Sequence, residues 1–382
     1  MNRLLVVAVA VSLLCSVSAV GAEAGLPELR TQYEQTVAKA TDYLASRGRA
    51  ADGSFSSFAG PGVTALVTAS LLRHGRSPEE PLVAESLAYL EKFVQEDGGI
   101  YQPQTFYRNY ETCLAILCFQ AANRNGRYDQ LLARADAFVR GIQWDEGEGK
   151  DRSDPTYGGA GYGKNKRPDL SNTAFLVDAL KTLGSDGDRE ALERALVFVS
   201  RCQNLETEHN QTPFAAKNPD GGFYYTPAAG GASMAGTTPE GGLRSYGSMT
   251  YAGLKSMIYA GLGPDDPRVK AAVAWIRRNY DLQSNPGMGE AGLFYYYHTF
   301  AKALDALGQD VFEDDRGNRH FWRAELIREL ARRQRPDGSW LNENDRWLEG
   351  DPNLVTGYVL LTLAYCRPAV DRPAGDAVRS SP

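Results

Sequence analysis

Six stretches of the chain are apolar at nearly every position, and each begins on a threonine. They read TALVTASLL from Thr64, TCLAILCFQ from Thr112, TAFLVDAL from Thr173, TYAGLKSM from Thr250, TFAKALDAL from Thr299 and TGYVLLTLA from Thr356. The spacing between them is irregular, but the unit recurs. Between them lies a second kind of segment, exemplified by REALERALVFVSRC (Arg189 to Cys202), RVKAAVAWIRRNY (Arg268 to Tyr280) and WRAELIRELARRQ (Trp322 to Gln334). TQYEQTVAKATDYLAS, LVAESLAYLEKFVQ and QLLARADAFVRGI bring this second set to six. Here apolar residues recur at helical spacing on one face and charges fill the other.

The contrast predicts an architecture. Helices without a polar face are buried on most sides, and helices with one face water. Six of each in alternation predict an inner ring inside an outer ring: an all-α (α/α)6 toroid of six helical hairpins. One hairpin cannot bury its apolar faces alone, so residues 25–367 are expected to fold as one domain. Glycine turns followed by an aromatic or apolar residue recur between the two kinds of helix: DGSF at Asp52, DGGIY at Asp97, DGGFYY at Asp220 and DGSW at Asp337. YGGAGY at Tyr157 and GEAGLFYYY at Gly289 are degenerate versions. Asp closes a tight turn on its own backbone and Gly accepts positive φ, so these turns read as structural staples. The long segment from Gln203 to Ser245 exceeds an ordinary connection and is either a flap over one mouth of the ring or disordered.

The ends of the chain change the picture. Residues 1–24 have a basic start at Arg3, an uncharged apolar run from Leu4 to Leu14 and small residues up to Ala24. That is the pattern of a secretory signal peptide, which predicts an exported protein, periplasmic or secreted. No later stretch is long and apolar enough to span a bilayer. Residues 368–382 lack apolar periodicity and are expected to be a disordered tail. Export leaves Cys113, Cys118, Cys202 and Cys366, each in an apolar helical context; they read as buried thiols, with one disulfide of unassigned pairing as the alternative. The net charge of −6 over 382 residues gives no electrostatic reason to expect nucleic acid.

The turn ELARRQRPDGSW (Glu329 to Trp340) resembles the glutamine–tryptophan repeat of squalene and hopene cyclases, and Cys202 to Tyr225 is a looser copy with an insertion. With the six threonine-led helices, the chain resembles the prenyltransferase and squalene-cyclase toroid superfamily, whose activities include terpene cyclisation and protein prenylation. The resemblance implies an isoprenoid or lipid-like ligand. The residues set limits on the reaction. Cyclases of this kind place Asp-x-Asp-Asp before one threonine; here RNYE precedes Thr112, and Glu111 is the one acid, without a second carboxylate to raise its pKa by repulsion. Protein prenyltransferases bind zinc through an Asp, a Cys and a His. His298 in YYHT stands in the histidine position, but Tyr246 and Ser248 occupy the other two, and phenol and hydroxyl are poor zinc ligands. No metal or other cofactor is expected.

If the inner helices run the same way, their N-termini converge on one mouth, where unpaired N–H groups and aligned dipoles favour anions. Glu111 and His298 are the candidate acid–base residues there. Tyr107, Asn109, Tyr110, Arg244, Tyr246, Ser248, Tyr297 and Asp351 are the candidate ligand-binding residues of a tyrosine-rich wall. The structural alternative is that Asn109, Ser171, Ser248 and Asn353 are N-caps worth ~1 kcal/mol each, and that His298 bonds across the ring. Three functions compete on these residues. One is an enzyme acting on an isoprenoid or lipid-like substrate. The second is a non-catalytic scaffold that binds a small molecule or a protein. The third, a sugar-cleaving toroid, lacks a motif announcing its paired carboxylates.

Overall fold

A computed structural model describes residues 26–163 and 166–367. The leader predicted over 1–24 and the tail predicted over 368–382 lie outside the described residues. Twelve α-helices account for most of the described chain: α1 Leu26–Tyr43, α2 Pro61–Arg73, α3 Pro81–Glu91, α4 Arg108–Ala122, α5 Asp129–Arg140, α6 Leu170–Leu183, α7 Asp188–Arg201, α8 Gly247–Tyr259, α9 Pro267–Arg278, α10 Leu293–Ala306, α11 Trp322–Arg333 and α12 Pro352–Tyr365. A two-residue antiparallel ladder pairs β1 (Phe312–Glu313) with β2 (Arg319–His320) before α11.

The six helices that carry Thr64, Thr112, Thr173, Thr250, Thr299 and Thr356 are the even-numbered ones. Each packs on the next, and α12 packs back on α2, which closes an inner ring. The odd-numbered helices pack outside it, and α11 touches α1 across the closure. The fold is an (α/α)6 toroid. The apolar pattern explains the layering: α2, α8 and α12 are buried for eleven consecutive residues each, whereas α5 buries only Leu132, Ala135, Asp136 and Val139.

Turn and threonine form one recurring device. The residue after each glycine turn donates its backbone N–H to the threonine hydroxyl of the following inner helix: Phe55 to Thr64 at 2.9 Å, Ile100 to Thr112 at 3.0 Å, Ala160 to Thr173 at 3.0 Å, Phe223 to Thr250 at 3.1 Å and Trp340 to Thr356 at 3.3 Å. Each bond satisfies a buried backbone donor and fixes the turn against the inner ring. Glutamines fix the same turns to the outer ring. Gln203 Nε2 donates to Gly221 O and to Arg268 O on α9, both at 2.9 Å. Gln334 Nε2 does the same with Gly338 O at 2.9 Å and Thr36 O on α1 at 3.0 Å. Glycine is required where the turn meets that outer helix. Gly98 has φ +90°, and a Cβ there would lie 2.6 Å from Arg134 O on α5.

The sixth unit departs from the pattern. Thr299 is the seventh residue of α10, deeper than the other five threonines, and its hydroxyl bonds only to Tyr296 O in its own helix, at 3.0 Å. The expected N-caps also need correction. Asp169 caps α6 through Asn172 N–H at 2.9 Å, and Asp351 caps α12 through Leu354 N–H at 2.8 Å. The helices start earlier than the threonines suggest, so Asn109, Ser171, Ser248 and Asn353 lie inside the first turn. Asn109 and Asn353 instead reach across to neighbouring loops, through Gly161 O at 3.0 Å and Gly48 O at 3.1 Å. The segment 203–245 forms neither a regular helix nor a strand of a sheet; isolated bridges such as Thr226 with Ala232 and Thr237 with Leu243 fold it back on itself.

Candidate functional site

A cavity of about 480 Å³ opens at one mouth of the ring. Every inner helix contributes its beginning to the wall: Val63 from α2, Tyr110 and Glu111 from α4, Ser171, Asn172 and Phe175 from α6, Ser248 and Met249 from α8, Tyr295 from α10, Leu354 and Tyr358 from α12. The inner N-termini therefore converge on it. Loops complete the lining with Phe58, Tyr107, Tyr162, Tyr225, Met234, Tyr246, Trp347, Leu348 and Glu349.

Aromatic side chains form the largest group in the wall. Tyr110 meets Phe175 edge-on at 5.0 Å, Tyr295 meets Tyr358 at 5.9 Å, and the Tyr110 and Tyr358 hydroxyls lie 3.3 Å apart. Such a wall offers apolar area with a few polar handles. At the rim, Phe58 is 75% exposed, Tyr107 50% and Trp347 45%. Trp347 and Leu348 both hold left-handed backbone, φ 57° and 67°, which is strained for large side chains.

Two carboxyl groups break the apolar wall. Glu111 is 2% exposed; it accepts the Gln102 N–H at 2.9 Å and the Thr105 hydroxyl at 3.3 Å. Burial pushes its pKa up to about 7, against those two donors. Glu349, 1% exposed, accepts the N–H groups of Phe294 at 3.2 Å and Tyr295 at 2.8 Å, and Asn342 Nδ2 at 2.7 Å. Burial likewise pushes it up to about 7. It closes the first turn of α10, where no turn-to-threonine bond forms. A third acid, Asp169, stands behind the wall as the cap of α6; burial raises its pKa, and its hydrogen bonds to Ser171 and Asn172 lower it.

The residues named from sequence divide. Glu111, Tyr107, Tyr110, Tyr246 and Ser248 line the cavity. Asn109 is buried beside it, holding Gly161 O and Asn172 O. Arg244 is exposed and donates to Thr237 O at 3.0 Å within its own loop. Tyr297 points to the outer ring, with its hydroxyl on Leu282 O at 2.6 Å. Asp351 is spent on its cap and on Ser56 Oγ at 2.7 Å. His298 is absent from the wall: it is 7% exposed, with its ring 5.8 Å from that of Tyr358, a wall residue. Burial and the nearby Lys302 hold its pKa well below the usual histidine value, so it is neutral. Glu349, Tyr162, Tyr225 and Trp347 were not expected, because their loops carry no helical period.

Among the described residues, Cys113, Cys118, Cys202 and Cys366 are buried thiols. Among the described residues, no helix is long and apolar enough to cross a membrane.

Several solved structures are similar to the chain at low identity. The type II terpene cyclase MstE from Scytonema, without ligand, shares 14% identity over 87% of this chain and 98% of that one, with a TM-score of 0.46. A variant of MstE in complex with its substrate, geranylgeranyl dihydroxybenzoate, shares 13% over 90% and 99%, with a TM-score of 0.35. Another, with the product merosterolic acid A, shares 15% over 90% and 99%, with a TM-score of 0.32. No protein-family model matches the chain, and no curated protein matches it.

Proposed function

We propose that the protein is an exported toroid that takes an isoprenoid or other lipid-like amphipathic ligand into the cavity at the inner-helix N-termini. One observation carries the reading: a cavity of about 480 Å³, walled by tyrosines and apolar side chains, with the Glu111 and Glu349 carboxyls at its surface. The volume suits a molecule of some twenty heavy atoms, and the wall suits one that is mostly hydrocarbon with one or two polar groups. Export rests on the pattern of residues 1–24.

Any chemistry falls to Glu111. A carboxyl poised near neutrality can both give and accept a proton, which is what a general acid–base needs. It is a weak acid for protonating an isolated alkene, so a polar functional group on the ligand is the fitting target. The Glu349 carboxyl is committed to backbone N–H groups and serves as support. The alternative, a non-catalytic binding scaffold, draws on the lone position of Glu111.

The test is a titration of the purified protein with a C20 prenyl alcohol, followed by tryptophan fluorescence, since Trp347 lines the cavity. Saturable binding is expected, and Val63→Trp, which narrows the cavity, should weaken it at least tenfold. No saturable binding to the prenyl alcohol or to a fatty acid overturns the proposal and leaves the scaffold.

A further inference from the structure

Beneath the aromatic floor lies a buried charged cluster that the cavity does not use. Asp178 sits three residues beyond Phe175 on α6, Lys255 seven beyond Ser248 on α8, and His298 and Lys302 three and seven beyond Tyr295 on α10. At 1.5 Å per residue this layer is roughly 5–10 Å deeper along the ring axis. All four side chains are more than nine-tenths buried.

The charges do not balance. Asp178 receives both ammonium groups, Lys255 on Oδ1 at 2.6 Å and Lys302 on Oδ2 at 2.7 Å. Two cations on one carboxylate leave one positive charge in excess, and an uncompensated buried charge is expensive. The hydrogen bonds do not balance either. Lys255 Nζ uses a second donor on Ala174 O at 2.9 Å, whereas Lys302 Nζ has Asp178 as its hydrogen-bonded partner; the Tyr259 ring lies 5.6 Å from Lys255 Nζ and 6.0 Å from Lys302 Nζ and supplies no lone-pair acceptor. His298, four residues before Lys302 on the same face of α10, has a buried Nδ1 with no partner. A histidine this deep normally has its ring nitrogens satisfied.

We propose that this layer is a binding site for a small anion, held by Lys302 and Lys255 with the His298 ring as a hydrogen-bond donor. One negative charge would cancel the excess. The spare donors of both lysines and the free imidazole N–H supply its bonds, and Asp178 keeps the lysines in place. The site takes a compact, singly charged anion such as a halide, which matches the one positive charge in excess. It is separate from the proposed lipid cavity and does not depend on that reading.

Bromide is the probe. A crystal of the full chain soaked in sodium bromide and measured at the bromine edge should show an anomalous peak beside Lys302 Nζ and the His298 ring. In solution, sodium bromide should raise the melting temperature of the wild type by several degrees above sodium gluconate at equal ionic strength. The difference should vanish in Lys302→Met, and in His298→Phe if the lysine variant does not fold. Density for water only at this layer, bromide at the surface only, or an equal bromide effect in wild type and variants each overturns the proposal.

Discussion

The carboxylate of Glu349 accepts the backbone N–H of Tyr295 at 2.8 Å across 54 residues of chain. That bond does for α10 what a turn and a threonine do for the other inner helices. It also sets one carboxyl on the cavity wall while engaging its oxygens.

Removing it should be felt in stability first. Glu349→Ala leaves the Phe294 and Tyr295 N–H groups without their acceptor, while the Asn342 amide keeps only Glu290 O at 2.8 Å. Each of these two orphaned donors costs ~1–3 kcal/mol, so a loss of about 2–6 kcal/mol is expected from urea unfolding. Glu349→Gln keeps one acceptor oxygen and should lose less than half as much.

Glu111 predicts a pH dependence of stability with a definite sign. Its folded pKa, about 7, lies above the unfolded value, so the folded state holds its proton more tightly. That contribution is full below about pH 4.5 and is lost as pH rises through 7, at roughly 1.4 kcal/mol per pH unit. His74 acts in the opposite direction. Burial lowers it to about 4, so its contribution is lost as pH falls from 6.5 towards 4. Glu349, also raised to about 7, adds to the first slope, and His298, held well below its usual value, adds to the second. Glu111→Gln, which mimics the neutral acid, should remove its own share of the first slope and make the protein relatively more stable at pH 8 than at pH 5. Urea midpoints across that range check it.

The turn device predicts a difference between two threonines. Thr112→Val strands the buried Ile100 N–H and should cost about 2 kcal/mol. Thr299→Val removes only a bond back to its own helix and should cost under about 1 kcal/mol. Equal losses in thermal unfolding would contradict the device.

Glycines offer a paired test as well. Gly98→Ala adds a Cβ at φ +90° and 2.6 Å from Arg134 O, so strain and a clash combine, and a loss above about 3 kcal/mol is expected. Gly75→Ala has φ +84° but nothing within 4 Å, and should cost about 1–2 kcal/mol.

Legibility from sequence followed range. The helices and their two kinds were readable because periodicity is local, and ring closure followed from counting them. The depth of Thr299 in α10 was not, because YYYHT carries no signal for where the helix begins. Glu349 escaped for a related reason: its partners lie 54 and 55 residues away, and nothing in WLEGD marks an acid that caps a distant helix. His298 was singled out for its flanking residues, yet it sits about one helical turn too deep to reach the wall. Tyr107, Tyr110 and Glu111 were found because they precede a threonine in a helix whose start lies nearby.

The bond from Gln334 to Thr36 joins the turn after α11 to α1 with the same chemistry that Gln203 uses between adjacent units. The toroid thus has no distinctive seam. Order around the circle, and not the position of the termini, defines this molecule, so relocating the break to the exposed tip near Gly75, with the native ends linked, should preserve the native circle. For the same reason the nascent chain cannot complete its circle until α12 has been made.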